Sequence, residues 1–189
     1  MPTDRNLIRG QVSTYAEVLL QGARSENAVF DVATQLVEAT EAIRSSSQLR
    51  ATLKDTAYPL EVRTGLIKEI FKESSPALVA VLNVMVERGE VNLLTRVNRA
   101  YAELAEAELG AVIVDVTSAI ELDDHLRDVI KNKLSRDFGT DILLREHVDP
   151  SILGGIIMSA RGNRIDASMA SQLERARVAL STQLSGGDE

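Results

Sequence analysis

The sequence predicts a mainly α-helical chain in which a bundle of five or six helices precedes a small α/β domain. Three observations predict it. Apolar residues recur at helical spacing through the first hundred positions. After Gly110 that period gives way to short runs rich in Val and Ile. The charge balance also shifts near residue 105, with 12 Lys/Arg against 13 Asp/Glu through Ala105 and 9 against 15 beyond it. The division is therefore placed between residues 1–105 and 106–189. Whether residues 106–110 continue a helix or form a hinge stays open.

The helical elements follow in order. Ile8, Val12, Tyr15, Ala16 and Leu19 share one face of a first helix, with Gly22 as its natural stop. Ser25 can cap a second, in which Val29, Ala33, Leu36, Thr40 and Ile43 form a stripe that Phe30 and Val37 widen. The cluster Ser45-Ser46-Ser47 breaks it, and Gln48 to Leu53 is at most a short helical piece. Pro59 suits the first position of the next helix, whose apolar face is Val62, Leu66, Ile67, Ile70 and Phe71. Ser74-Ser75-Pro76 starts another, apolar nearly all round from Ala77 to Arg88 and ended by Gly89. Leu93, Leu94, Val97, Tyr101 and Leu104 mark a last helix that can reach Leu109.

Beyond Gly110, Ala111 to Val116 reads as a largely buried strand. Asp123 or Asp124 can cap a helix carrying Leu126, Val129, Ile130, Leu134 and Phe138, closed by Gly139. Ile142–Val148 and Gly154–Ala160 read as strands, and Arg161-Gly162-Asn163 as a turn feeding Arg164-Ile165-Asp166. Ser168 caps a final helix with Leu173, Ala176, Leu180 and Leu184 on one face.

Composition excludes several functions. The chain has 189 residues, 44% apolar but only 3% aromatic and with no Trp, so its core must be aliphatic, which suits helix-on-helix packing. A net charge of −7, with neither half basic, gives a phosphate backbone no attractive field, so no nucleic-acid partner is expected. The absence of Cys removes disulfides, thiolate metal sites and Cys nucleophiles. The N-terminus lacks the pattern of a secretory signal. The longest apolar run, Ala77 to Leu82, is far short of the ~18 residues a membrane span requires. No direct membrane insertion is expected.

The search for an active site returns ordinary structural explanations. His125 and His147 have no second ligand at metal spacing. No glycine precedes Lys-Ser or Lys-Thr as a phosphate-cradling loop would require. Gly154-Gly155 enters a strand, where a bulge or close backbone approach explains it. Asp123-Asp124 reads as a helix cap, and no Gly-x-Ser-x-Gly elbow occurs. No catalytic, cofactor-binding or metal residue is assigned. What remains is apolar surface, because Ala77 to Val86 carries more hydrophobic positions than one stripe requires. Either all are internal core, or some line a groove for an amphipathic helix.

From Val148-Asp149-Pro150-Ser151-Ile152-Leu153-Gly154-Gly155-Ile156-Ile157-Met158 through Gly162-Asn163-Arg164-Ile165-Asp166-Ala167-Ser168 to Leu173 and Leu180, the chain resembles the C-terminal signature of ATP synthase delta subunits. The mitochondrial relative is the oligomycin-sensitivity-conferring protein. Tyr15-Ala16 and Arg88-Gly89-Glu90-Val91-Asn92-Leu93-Leu94 are similar to the family's more loosely kept N-terminal motifs, whereas Ser159-Ala160-Arg161 departs from its usual, more basic or glycine-containing segment. The resemblance implies an N-terminal six-helix bundle followed by a small α/β domain. It also implies a non-catalytic stator subunit, one copy per rotary proton-translocating ATP synthase, that joins the catalytic head to the peripheral stalk. Carried over, a groove between the first and fifth helices would grip N-terminal helices of alpha subunits, lined by Tyr15, Ala16 and Leu19 opposite Leu78, Leu82 and Val86. Leu173, Ala176 and Leu180 would be candidates for b-type stalk contacts, although core packing explains them better. The implied location is peripheral, on the cytoplasmic face of a bacterial inner membrane or its organellar equivalent. A free-standing helical scaffolding or regulatory module that binds an amphipathic partner helix is the alternative.

Overall fold

A computed structural model describes the backbone of residues 3–184 and the side chains of residues 5–175 and 177. The chain is mostly helical, with eight α-helices and one four-stranded mixed sheet among the described residues. It divides into two compact units, Met1–Leu109 and Gly110–Glu189. The division falls at Leu109 because the last helix of the first unit runs on through residues 106–109, so the position expected after Ala105 lies inside that helix.

The first unit contains α1 (Thr3–Ser25), α2 (Val29–Ser45), α3 (Ser47–Lys54), α4 (Leu60–Ile70), α5 (Pro76–Glu87), a 3-10 turn at Val91–Leu93, and α6 (Leu94–Leu109). Its core is aliphatic. Leu19, Leu36, Leu53, Ile67, Leu78, Leu82, Met85 and Val97 are wholly or almost wholly buried. Tyr101 on α6 is fully buried, and its hydroxyl donates to the Val29 carbonyl at 3.0 Å. That carbonyl lies in the first turn of α2, so the phenol ties α6 to α2 without stranding a polar atom. Burial, helped by the nearby Glu26 charge, raises its pKa well above the ordinary tyrosine value.

Several local expectations need correction. Gly22 does not end α1, which continues three residues further to Ser25. Ser25 does not cap α2; its hydroxyl donates to the Gly22 carbonyl at 2.7 Å, while Ala28 occupies the N-cap position without a side-chain bond. Pro59 is the N-cap of α4 rather than its first residue. The buried face of α4 holds Arg63, Ile67 and Phe71, whereas Val62 and Ile70 are 48% and 46% exposed. Arg63 lies inside because its guanidinium donates to the carbonyls of Leu53 (3.4 Å) and Val86 (3.3 Å), in the last turns of α3 and α5. A cation there meets the negative ends of two helices.

The second unit contains β1 (Ala111–Ser118), α7 (Asp124–Phe138), β2 (Asp141–Val148), β3 (Gly155–Ala160), β4 (Asn163–Ser168) and α8 (Met169–Leu184). The sheet order is β2-β1-β3-β4, with β1 parallel to β2 and antiparallel to β3, and β3 antiparallel to β4. The parallel pair needs a crossover, which α7 supplies. Asp123 caps α7 by accepting the Leu126 amide at 2.7 Å, and Gly139 ends it in the left-handed region at φ 68°. Val112, Val114 and Val116 project from alternate positions of β1 onto Ile130 and Leu134 of α7 and Ile142 of β2.

Gly154-Gly155 makes a close backbone approach. Gly155 has φ 81°, and a β-carbon there would fall 2.9 Å from Ser168 Cα and closer still to the Ala167 carbonyl oxygen on β4. Neither the conformation nor the space admits a side chain. The Gly154 carbonyl accepts the Met169 amide at 2.9 Å, which seats the first turn of α8 against the start of β3.

Candidate partner-binding site

Two antiparallel helices, α1 and α5, form a seam whose ends are fixed by distant side chains. At one end Glu90, just past α5, accepts hydrogen bonds from the Tyr15 hydroxyl and from Gln11 Nε2, the latter at 2.8 Å. Partial burial and the neighbouring Glu90 carboxylate push the Tyr15 pKa up to about 12, so the phenol stays protonated and keeps donating. At the other end Gly22 meets Ala77, and a β-carbon on Gly22 would overlap that of Ala77. The start of α5 is held there by Glu26, whose carboxylate accepts the Ser75 hydroxyl at 2.6 Å and the Ala77 amide at 3.3 Å. A carboxylate from the α1–α2 turn thus does the work of an N-cap, satisfying an orphan amide at the positive end of α5. Ser75 itself caps nothing; its amide donates to Gln35 Oε1 at 2.7 Å.

The six residues expected to line the groove sit below this seam. Tyr15, Ala16 and Leu19 on α1 and Leu78, Leu82 and Val86 on α5 are all buried, none above 8% exposure. They hold α1 and α5 in the unit's core. The apolar groups left in the open are their neighbours. Val18 is 51% exposed, three residues after Tyr15 and four before Gly22, so it stands on the flank of α1 beside α5. Val84 is 42% exposed, and with exposed Ala80 it continues the flank of α5 that begins at Ala77. Leu7, 64% exposed, extends the α1 flank towards the N-terminus.

Sequence reasoning missed Val18, Ala80 and Val84 for two reasons. Val18 lies off the heptad-like stripe that defines the α1 core face. In α5 nearly every position is apolar, so periodicity cannot separate an inner face from an outer one. Glu26 and Glu90 were also missed, since both sit in turns and act on residues far along the chain.

In the second unit, Leu173 on α8 is 63% exposed, and Met169, one turn earlier, is 52% exposed. Leu153, beside the Gly154 carbonyl that holds Met169, is 78% exposed. The side chains of Ala176 and Leu180 lie outside the described residues. Ser168 starts this helix: its hydroxyl accepts the Ser171 amide at 3.3 Å and donates to Asp166 Oδ1 at 2.6 Å. The bonds that the Ser168 hydroxyl and amide donate to Asp166 Oδ1 hold the Asp166 carboxyl below its ordinary pKa, and Ser151 does the same for Asp149.

The sequence model of the ATP synthase delta (OSCP) subunit matches residues 12–180. ATP synthase subunit delta of Rubrobacter xylanophilus is 31% identical over 170 residues, covering 89% of this chain and 95% of that protein. The subunit delta of Prochlorococcus marinus strain MIT 9301 is 29% identical over 177 residues, covering 93% and 98%. Among solved structures, a chain of the Toxoplasma gondii mitochondrial ATP synthase hexamer shares the fold, with a TM-score of 0.53 at 18% identity over 89% of this chain and 96% of that one.

Proposed function

Because the chain belongs to the ATP synthase delta (OSCP) family and is a peripheral-stalk component of the rotary ATP synthase, we propose that its six N-terminal helices act as one bundle whose α1–α5 groove grips the N-terminal helix of an alpha subunit. The observation that carries this reading is the pair of flanks, Val18 on α1 and Ala80 with Val84 on α5, left open along a seam pinned at both ends. Unpartnered valines on adjacent helices gain free energy when an amphipathic helix covers them, by about 25 cal/mol per Å² of apolar surface removed from water.

The role is mechanical and non-catalytic. Torque from the rotor must not turn the catalytic head, so a stator contact has to release far more slowly than the enzyme turns over. Nanomolar affinity, about −12 kcal/mol, gives such residence times. The exposed apolar group of Leu153, Met169 and Leu173 on the second unit is the counterpart surface for b-type stalk chains. One copy per complex, at the cytoplasmic face of a bacterial membrane or its organellar equivalent, completes the reading. Among the described residues no helix is long and apolar enough to cross a membrane.

Val84→Asp tests the groove without touching the core. The variant should fold as wild type, lose most of its affinity for the catalytic head, and leave the head hydrolysing ATP without pumping protons. Full coupling and unchanged head binding by Val84→Asp together with Val18→Asp would remove the α1–α5 groove from the account.

A further inference from the structure

We propose that the side-chain-free contact of Gly22 with Ala77 is a spacer that sets the width of the α1–α5 groove, making Gly22 a positioning residue for the partner helix. The inference rests on the groove reading above and goes beyond it by naming what fixes the groove's shape.

Glycine inside a helix is conformationally costly relative to alanine, so a mid-helix glycine that survives calls for a local reason. α1 contains two, and they differ in their surroundings. A β-carbon on Gly10 would meet nothing within 4 Å, whereas one on Gly22 would overlap the Ala77 β-carbon. Ala77 is the second residue of α5, and Glu26, which accepts from its amide and from the Ser75 hydroxyl, ties this end of α5 to the α1–α2 turn. The far end of the seam is held by Glu90 through Gln11 and Tyr15. From Gln11 to Gly22 is about 16 Å of helix, roughly three turns, at 1.5 Å per residue. A methyl group added at Gly22 must therefore pivot the two helices apart about the Glu90 end. Val18 and Val84, which flank the seam between the two fixed points, then move apart and no longer contact one apolar ridge together.

The test uses the full-length chain and, as probe, a synthetic peptide of the alpha subunit's N-terminal helix from the same synthase. Affinities are measured by calorimetry at a temperature where circular dichroism shows each variant folded. Gly10→Ala should bind within twofold of wild type and Ala77→Gly within threefold. Gly22→Ala should bind at least tenfold more weakly, and Gly22→Ala with Ala77→Gly should recover to within threefold. A purely structural role would lower the melting temperature of Gly22→Ala and leave the affinity of the folded protein as in wild type; that outcome overturns the spacer. Should Gly22→Ala fail to fold, the double variant decides. Recovery of folding and binding supports the spacer, while a double variant that stays unfolded, or folds but binds tenfold more weakly than Ala77→Gly, overturns it. A wild-type chain that ignores the peptide overturns the groove reading and the spacer with it, whereas wild-type binding with an unchanged Gly22→Ala sinks the spacer alone.

Discussion

The two units of this chain solve the problem of burying apolar surface differently. The first, Met1–Leu109, holds most of the buried side chains among the described residues, and some of its polar links span long stretches of sequence: Glu26 to Ser75, Tyr15 to Glu90, Tyr101 to Val29. The second, Gly110–Glu189, has one cluster on the α7 face of a four-stranded sheet and keeps Ile120, Leu153 and Leu173 more than 60% exposed. Its polar links are of two kinds: caps and turns acting within three residues, such as Asp123 to Leu126, Asp149 to Ser151 and Asp166 to Ser168, and ion pairs joining neighbouring elements, Arg145 to Asp115 and Arg127 to Glu146. The contrast teaches that a unit can be a finished fold with one open seam, or a thin framework whose exposed apolar groups remain to be covered by something else.

All three tyrosines, Tyr15, Tyr58 and Tyr101, belong to the first unit, so tyrosine fluorescence reports its unfolding alone while far-ultraviolet dichroism reports both. Leu82→Asp should break the contrast most severely. It puts a charge at a position only 2% exposed, should cost more than about 4 kcal/mol, and should abolish the tyrosine transition while the second unit's strands persist. Survival of the tyrosine transition at its wild-type midpoint would show that Leu82 is not core. Gly155→Ala should injure the second unit instead, by about 2–3 kcal/mol, through strain at a left-handed position and overlap with β4. The tyrosine signal should not shift; if it does, the strain reaches the first unit. Asp123→Ala, which removes the α7 cap, should cost the second unit about 1 kcal/mol in denaturant titration.

The smallest effect is a pH asymmetry. Tyr15 binds its proton more tightly when folded, so its contribution is complete below its ordinary pKa of 10.0 and fades as pH climbs from there through about 12. Asp149 and Asp166 are held below their ordinary value of 3.8, so their contribution is present above that value and fades as pH falls through the lowered folded pKa. The alkaline limb should thus belong to the first unit and the acid limb to the second. Tyr15→Phe should make the former shallower, the Tyr101 share remaining, and Asp166→Asn the latter, the Asp149 share remaining, each read as the pH dependence of the unit's unfolding midpoint; a Tyr15→Phe variant with an unchanged alkaline limb would refute the assignment.

Much of the fold was legible because its signals are local. Pro76 at the first position of α5, Asp123 before α7, Gly139 after it and Ser168 before α8 act within one helical turn of where they stand. β1 was legible from its Val/Ile content, and Gly154-Gly155 from its being the one glycine pair in a strand context. The helix-rich half and the strand-containing half follow from one change in hydrophobic period.

Tertiary structure alone decided which apolar residues face outward. α5 is apolar nearly all round, so its own sequence gives it little inside; α1, α2 and α4 pack against it, burying Leu78, Leu82 and Val86 while Ala80 and Val84 stay exposed. It also decided that α1 runs through Gly22, because a missing β-carbon matters only where another helix passes close by. Arg63 is inside for the same kind of reason. Sequence reports what each residue prefers in isolation, and a buried cation becomes tolerable only when two helix ends bring their carbonyls to it.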